Sequence, residues 1–434
     1  MMWTMIDTWI VLTAAVISLS CALVGNLLVV RRMSLMGDAI SHAVLPGIAV
    51  AFLLGGSRAP LPMFVGAVVA GIGTAFFTEW IHRNGKVEES SAMGVVFTTL
   101  FAIGLVMMVQ AADSVDLDPG CVLYGAIELS PLDTVALAGY DIPRALVIGL
   151  VVLVMNAVII GLFYKEFKIT AFDPEAATAL GIPARRMYYL LMAMVAITTV
   201  ASFESVGSIL VIAMLIVPGA AAQFLAVRLS GVIKWSLILA VTSAVGGHVA
   251  AITVPPWFGF IDTSTSGSIA VVTGLLFTAA FVLAPQRGLL SRALIRRALR
   301  YRITREDILG SLYRWQEENP TPAPGPSLAT LTHRLGKTAR KVQKTVAHMR
   351  RDDLIQDGTE TVINLTEEGH RQAALVIRDH RLWERFLHDK VQLPADHVHN
   401  TSEQLEHITD AAIREQLAGH ATDSGVDPHG KVIP

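Results

Sequence analysis

Through residue 286 the chain is a succession of long apolar runs separated by short polar breaks; after Arg287 it changes to short alternations of charged and apolar positions at helical spacing. A helix crossing a bilayer needs ~20 mostly apolar residues, because every backbone amide must be bonded internally across ~30 Å of hydrocarbon. Nine segments meet that requirement, at roughly 9–30, 38–55, 61–81, 93–110, 144–164, 187–203, 208–227, 234–254 and 267–285. The sixth is the shortest, so eight spans with a re-entrant segment is the alternative. Lys and Arg close to span ends favour the cytoplasm. Arg31, Arg32, Arg83, Lys86, Lys165, Lys168, Arg185, Arg186, Arg228, Lys234 and the residues from Arg287 onward fall on one side of the nine-span arrangement. The other side carries Arg58, Arg144 and the acidic Asp113, Asp116, Asp118, Asp133 and Asp262. Nine spans with the N-terminus outside and the C-terminus inside is the consistent solution.

Composition supports this division. Of 434 residues, 53% are hydrophobic and 16% charged, with a mean hydropathy of +0.54, which excludes an ordinary water-soluble globular chain. Ten of the thirteen histidines follow Arg287, so the tail has a different solvent and a different chemistry. Cys21 and Cys121 lie in or beside apolar spans and form neither a disulfide framework nor a Cys-x-x-Cys site. The opening "MMWTMIDTWIVL" lacks the basic start of a secretory signal, and a retained first span is expected.

Between Arg287 and Arg350 there are fourteen Lys or Arg against four Asp or Glu. "RGLLSRALIRRALRYR" therefore reads either as a juxtamembrane helix on anionic headgroups or as a nucleic-acid surface. "PTPAPGP", 320–326, is a stiff connector, and "LIQDGTETVINLT" suggests one strand pair.

Ionisable groups inside spans are costly, ~2.5–3.5 kcal/mol each on insertion scales, and usually face a cavity or a partner. Asp38 and His42, at i and i+4, share one helix face. Their oxygen and nitrogen donors suit manganese, zinc or ferrous iron. A cap aspartate with a separately bonded histidine is the competing reading. Pro46 removes the amide hydrogen that would bond the His42 carbonyl, and a bend is expected there. His248, beside Gly246 and Gly247, would complete such a site or sit as a satisfied core histidine. Glu204 and Asp262 are read as outer-loop carboxylates. In "FKITAFDPEAATALGIPARR", 167–186, Asp173 caps a helix begun by Pro174 and Glu175 and ended at Gly181. That short helix carries Ala176, Ala177 and Leu180, and it is what a permease needs to dock on a cytoplasmic motor.

"RRMSLMGDAISHAVLPGIAVAFLL", "EESSAMGVVF", "AFDPEAATALGI" and "VGSILVIAMLIVPGAAA" resemble the membrane subunit of the zinc, manganese and iron ABC importers, over about residues 10–285. The resemblance implies an all-α polytopic permease in a bacterial inner membrane. Its partners would be a second permease chain, identical or paralogous, a cytoplasmic ATPase dimer and an extracytoplasmic metal-binding protein. It implies that Asp38 and His42 lie on the metal path, with His248 a weaker candidate. It also implies that Asp173, Glu175, Ala176, Ala177 and Gly181 form the coupling helix.

Roughly residues 303–434 resemble a second family, the metal-dependent repressors of the diphtheria-toxin-repressor and manganese-transport-regulator type. "LATLTHRLGKTARKVQKTVAHMRRDDLI" matches their helix-turn-helix, "GTETVINLTEEGHRQA" their wing, and "RDHRLWERFL", "HVHNTSEQLEH" and "DPHGKVIP" their dimerisation and sensor region. The implied organisation is a transmembrane domain at 1–286, a basic juxtamembrane helix at 287–302, a winged helix at 303–372 and a helical metal-binding and dimerisation domain at 373–434. The implied ligands are Asp307, His380, Glu384, His399, Glu403, Glu406 and His407. Gly310 replaces a glutamate of the manganese regulators, so one ligand of a two-metal site is missing. Glu403 in place of a cysteine favours Mn²⁺. Arg340, Lys341 and Lys344 would meet phosphates on a recognition helix, but a tethered domain reaches chromosomal operators poorly, which favours a sensor that gates transport.

"RLGKTAR" ends like a phosphate-binding loop, yet Leu331 stands where its first glycine belongs, so no nucleotide site is expected. The divalent ion, Mn²⁺, Fe²⁺ or Zn²⁺, is expected as substrate and as regulator. The alternatives are a membrane-tethered metal-responsive transcription regulator and a metal carrier that needs no motor; neither requires the capped helix at 173–181.

Overall fold

The computed structural model describes residues 3–55, 60–112, 127–137, 139–261, 263–319, 324–356, 362–420 and 425–434. Arg58, Asp113, Asp116, Asp118, Cys121 and Asp262, the first part of the Pro-rich connector and the turn of the expected strand pair lie outside these. Two compact units are present, Met1–Arg292 and Ala293–Pro434.

In the first unit the apolar runs are helices: α1 (Met5–Val30), α2 (Leu35–Gly55), α3 (Pro60–Gly85) and α4 (Glu89–Ala112). A hairpin follows, β1 (Thr134–Leu137) paired antiparallel with β2 (Tyr140–Pro143). Then come α5 (Arg144–Leu162), the short α6 (Tyr164–Phe172) and α7 (Pro174–Ala179), α8 (Ala184–Leu225), α9 (Leu229–Thr253) and α10 (Thr265–Leu283). Among the described residues, nine stretches are long and apolar enough to span a membrane.

The sixth and seventh of these are not separated by a loop. The helical run Ala184–Leu225, here α8, is two helices that meet at a kink at Gly207, whose φ of 76° and ψ of 166° only glycine adopts without strain. Glu204, expected in an outer loop, therefore lies within a helix one turn before the break.

The core of this unit is built between α1, α2 and α8, where Leu27, Leu28, Met36, Ile40, Met192 and Leu215 are fully buried. Close approach depends on small residues, as is general for packed membrane helices. A Cβ at Gly25 of α1 would fall within bonding distance of the Leu215 carbonyl of α8, 1.8 Å away. Polar side chains tie helices together inside the apolar region. Asn26 Nδ2 donates to Ser236 Oγ on α9 at 2.6 Å. Asn156 Nδ2 of α5 donates to Ser20 Oγ on α1 at 3.0 Å and to Thr198 Oγ1 on α8 at 2.8 Å. Such bonds contribute ~0.6–2 kcal/mol each.

The second unit is also helical: α11 (Leu289–Glu318), α12 (Leu328–Leu335), α13 (Ala339–Arg351), α14 (Glu367–Asp389), α15 (Ala395–Leu405) and α16 (Ala411–His420). No glycine or proline interrupts residues 289–309, so α11 is continuous, and the boundary expected at 302/303 falls inside it. Its C-terminal half contributes Ile308, Leu309 and Leu312 to a core shared with Leu331 of α12 and with Val342, Val346 and Met349 of α13. Ser327 caps α12, and Gly336, at φ 58°, turns the chain into α13. Of the expected strand pair, the described residues show one antiparallel bridge, Ile355 with Leu365.

Candidate functional site

Three constellations carry chemistry. The first is in the membrane unit. Asp38 stands in the first turn of α2 and His42 one turn later, with His42 Nε2 3.4 Å from Asp38 Oδ1. Their neighbours Ala39, Ile40, Ala43 and Val44 are buried, whereas the Asp38 and His42 side chains remain 36% and 35% exposed. The pair thus lies at the partly exposed edge of the α2–α4 packing. There the His42 ring stacks at 5.8 Å on Phe97 and meets Phe101 edge-on at 5.5 Å, both from α4. Among the described residues no Lys or Arg forms an ion pair with Asp38. Pro46 sits inside α2 against Gly104 of α4, where an added Cβ would lie 2.6 Å from the proline ring.

His248 is not brought to this pair. It is 2% exposed, and both ring nitrogens are engaged elsewhere, Nε2 3.2 Å from Asp7 Oδ1 and Nδ1 3.3 Å from Thr265 Oγ1. Asp7 belongs to the first turn of α1, and Asp38 comes only after α1 has run its 26 residues, roughly 39 Å at 1.5 Å per residue. His248 therefore sits toward the opposite end of the helical unit, with Trp3 edge-on to its ring at 5.7 Å.

The second constellation is the loop between α5 and α8. Asp173 caps α7 as expected, its Oδ1 accepting from Glu175 N at 3.1 Å and Ala176 N at 2.9 Å. Gly181 ends the turn at φ 80°, with Gly181 N donating to Thr178 O and Ile182 N to Ala177 O. Only Ala177 of the expected apolar face is buried; Glu175, Ala176 and Leu180 are exposed, as is Phe172 just before the cap. A cavity of about 1560 Å³ adjoins this helix, with Arg31, Glu79, Glu89, Glu175, Arg185 and Arg287 in its wall. Behind it Arg31, at the C-cap of α1, donates to Thr170 Oγ1 of α6 at 2.6 Å.

The third is in the second unit and consists of two linked clusters. His380 Nε2, Glu384 Oε1 and His399 Nδ1 converge, with separations of 3.0 Å, 3.1 Å and 2.8 Å. Asp307, Glu406 and His407 form the other group, with His407 Nε2 3.2 Å from Asp307 Oδ1. Within each group the donor atoms lie no more than 4.8 Å apart, close enough to share one cation. Glu406 joins the two, its Oε2 accepting from His380 Nδ1 at 2.6 Å. That bond fixes the His380 proton on Nδ1 and leaves Nε2 facing Glu384 and His399.

Burial alone works against a charged His380, but the hydrogen bonds to Glu384 and Glu406 outweigh it and raise its pKa. Burial likewise disfavours the Glu384 carboxylate, yet His380 and His399 hold its pKa well below the usual carboxylate range.

Glu403 belongs to neither group. It lies on the exposed face of α15.

Three residues enter that sequence reasoning passed over. Glu306 Oε2 accepts from His407 Nδ1 at 2.8 Å; burial disfavours its charge, but His407 and Arg302 keep its pKa low. His429, in the quoted "DPHG", brings Nε2 to 4.0 Å from Glu384 Oε1. Lys337, from the turn between α12 and α13, forms an ion pair with Asp307, so a divalent ion entering there competes with an ammonium. Glu306 is adjacent in sequence to the candidate ligand Asp307, and His429 lies within the quoted "DPHGKVIP"; the Lys337 contact is tertiary and leaves no local signal.

Nine membrane-length helices define a multi-span membrane protein, and the His/carboxylate clusters of the second unit are groups that could hold a metal ion. The ABC 3 transport family matches residues 4–284, and the chain belongs to that family. Residues 366–434 match the iron dependent repressor metal binding and dimerisation domain. The chain is 44% identical over 289 residues to the manganese transport system membrane protein MntD of Bacillus subtilis, covering 66% of this chain and 95% of that one. It is 40% identical over 291 residues to the zinc transport system membrane protein TroD of Treponema pallidum, covering 67% and 77%. The solved structure of PsaBC from Streptococcus pneumoniae in complex with Fab superposes with a TM-score of 0.54 at 31% identity, over 68% of this chain and 96% of that one.

Proposed function

We propose that this chain is the permease of an importer for divalent transition metals, manganese foremost and zinc and iron by the same ligand chemistry, and that its C-terminal domain senses the imported ion and regulates transport. The observation that carries the reading is the Asp38–His42 pair, held on a partly exposed face of α2 with no Lys or Arg ion-paired to Asp38 among the described residues. Two donors are too few for a divalent ion that takes four to six ligands, so a second permease chain or water supplies the rest. The pair's exposure in a single chain supports assembly of two permeases around a shared path. ATP hydrolysis belongs to a separate cytoplasmic ATPase dimer docked at α7, and an extracytoplasmic protein delivers the ion. The distribution of Lys and Arg supports a bacterial inner-membrane protein with its N-terminus outside and its tail in the cytoplasm.

In the tail, α12, α13 and the Ile355–Leu365 bridge support a winged helix at about 303–372, and α14 to α16 a metal-binding domain at 373–434. His380, Glu384 and His399, with His429 nearby, would hold one ion; Asp307, Glu406 and His407 would hold a second, with Glu306 orienting His407. All donors are nitrogen or carboxylate oxygen, a set that suits Mn²⁺ and Fe²⁺ better than a thiolate site would. A bound ion adds charge where Lys337 and Asp307 now pair, and that couples occupancy to the turn before α13.

The reading is tested by elemental analysis of cells with and without the gene. Manganese content falls on deletion; unchanged Mn, Zn and Fe would overturn the assignment. Sensor binding is tested by calorimetry on the full chain in detergent. His407→Ala lowers Mn²⁺ affinity about tenfold or more, since one of three donors and its Glu306 partner are lost. Binding also weakens as pH falls, because the ion must displace the His380 proton. As that pKa is raised, the loss begins above the usual imidazole range near pH ~6.5. In the metal-free protein the sign reverses: the His380 contribution to stability is full below ~6.5 and is lost as pH rises through the raised value.

A further inference from the structure

The N-terminal half of α11 and the outer face of α13 enclose a cleft of about 620 Å³. Arg297, Arg300 and Tyr301 line it from α11, and Lys341, Lys344 and His348 from α13. Among the described residues no carboxylate lies within ion-pair distance of Arg297, Arg300, Lys341 or Lys344, although such pairs are frequent elsewhere in this unit, as with Arg302–Glu306 and Arg334–Glu318. The nearest acid tied to the cleft, Asp352, is engaged by the Tyr301 hydroxyl at 3.5 Å. Four cations thus line a space the size of a small-molecule pocket, none of them ion-paired with a carboxylate among the described residues.

The shape of the cleft restricts its occupant. Lys341, Lys344 and His348 form the face of α13 opposite the buried Val342, Val346 and Met349, which is the face a recognition helix presents to bases. A major groove ~12 Å wide admits one helix of ~10–12 Å diameter. Here the Tyr301 ring of α11 stands 5.7 Å from the His348 ring, so α11 flanks that same face and the two helices cannot enter a groove together. A phosphate-bearing headgroup fits where a duplex does not.

Chain connectivity indicates where such a headgroup comes from. Only five residues separate the end of the last membrane-length helix at Leu283 from the start of α11 at Leu289, a reach of at most ~18 Å. Leu294, Ile295 and Leu299 are exposed on this half of α11 beside its arginines, the pattern of a helix lying at a membrane surface.

We propose that the cleft between α11 and α13 binds the phosphate of an anionic phospholipid of the adjacent leaflet, so that the cations of a helix shaped for DNA hold the tail to the membrane instead. The proposal rests on the membrane character of the first unit and is independent of whether the tail gates transport.

The test is hydrogen exchange read by mass spectrometry on the full chain in nanodiscs of phosphatidylcholine, with or without phosphatidylglycerol. Phosphatidylglycerol slows exchange over 294–301 and 341–348 about tenfold. Lys341→Gln with Lys344→Gln removes that protection, whereas Arg340→Gln, on the same helix but outside the cleft, keeps it. Equal loss in Arg340→Gln would show diffuse surface charge and overturn the site. Protection by inorganic phosphate in phosphatidylcholine discs, with no added effect of phosphatidylglycerol, would replace the lipid with a free anion. Protection of 339–348 by duplex DNA in phosphatidylcholine discs, with none from phosphatidylglycerol, would restore the nucleic-acid reading and overturn this one.

Discussion

Asp38→Ala and His42→Ala each reduce manganese uptake by more than ~100-fold while leaving the amount of chain in the membrane unchanged. The first half of that expectation follows from ligand number. A divalent ion leaving water needs its lost hydration replaced, and α2 offers one carboxylate oxygen and one imidazole nitrogen, 3.4 Å apart, for the purpose. Removing either halves the contribution of this chain, and a loss of ~2.7 kcal/mol at the barrier is already a factor of 100. The second half follows from packing. Both side chains are about one-third exposed, and the buried face of α2 is formed by Ala39, Ile40, Ala43 and Val44, so truncation leaves that face intact and His42→Ala gives up only the ring contacts with Phe97 and Phe101. Radioisotope uptake in cells, normalised to immunoblotted chain, checks both halves. Uptake at the wild-type rate in both variants would remove the pair from the path, and loss of the chain itself would assign it a packing role. His248→Ala differs in kind: it strips Asp7 and Thr265 of a buried partner, and it acts on stability at the far end of α1.

How much of this was legible in the sequence depends on whether the signal was local. The membrane helices were, because bilayer thickness imposes a length and an apolar content that a single run displays. The cap at Asp173 and the stop at Gly181 were legible for the same reason: each is decided by backbone groups within four residues. The break in α8 was not. Glu204 and Gly207 look like a polar loop in a linear reading, but a glycine at positive φ lets a second helix follow the first at a kink with no loop between. The partners of His248 were hidden altogether, since periodicity assigns a residue to a face and says nothing of which helix covers it. In the tail, His380 with Glu384 was visible as an i, i+4 pair. The link through Glu406 to His407 and Glu306 joins α14, the turn after α15, and α11, and only folding brings those together. Glu403 shows the converse: its spacing relative to His407 matched the ligand pattern, and it lies on the exposed face of α15, in neither cluster.

Gly181→Pro separates ATP hydrolysis from transport, lowering the manganese moved per ATP about tenfold while hydrolysis persists. Three local conflicts act at this position. Proline fixes φ near −65°, whereas Gly181 adopts +80°. It abolishes the bond from Gly181 N to Thr178 O. It also disfavours the α-region for the residue before it, and Leu180 sits there at φ −81°, ψ 5°. Together these cost more than ~3 kcal/mol, enough to unravel the end of a six-residue helix that holds itself by one aspartate cap and one buried alanine. The damage stays local, because the spans on either side are anchored by their own cores. In the proposed docking, what is lost is the link between the motor and the membrane: α7 is joined to α6, Thr170 of α6 accepts from Arg31, and Arg31 is four residues before the start of α2 with its Asp38–His42 pair. Gly181→Ala, which meets only the strain of positive φ, about 1 kcal/mol, gives an intermediate defect. Glu175→Lys reverses a favourable charge at the N-terminus of α7 and alters an exposed contact, so it weakens docking rather than transmission and lowers hydrolysis and transport together. Proteoliposomes holding the assembled transporter, with phosphate release and metal uptake followed in parallel, distinguish these outcomes. A wild-type ratio of metal to ATP in Gly181→Pro would show that this helix does not transmit the motor's stroke.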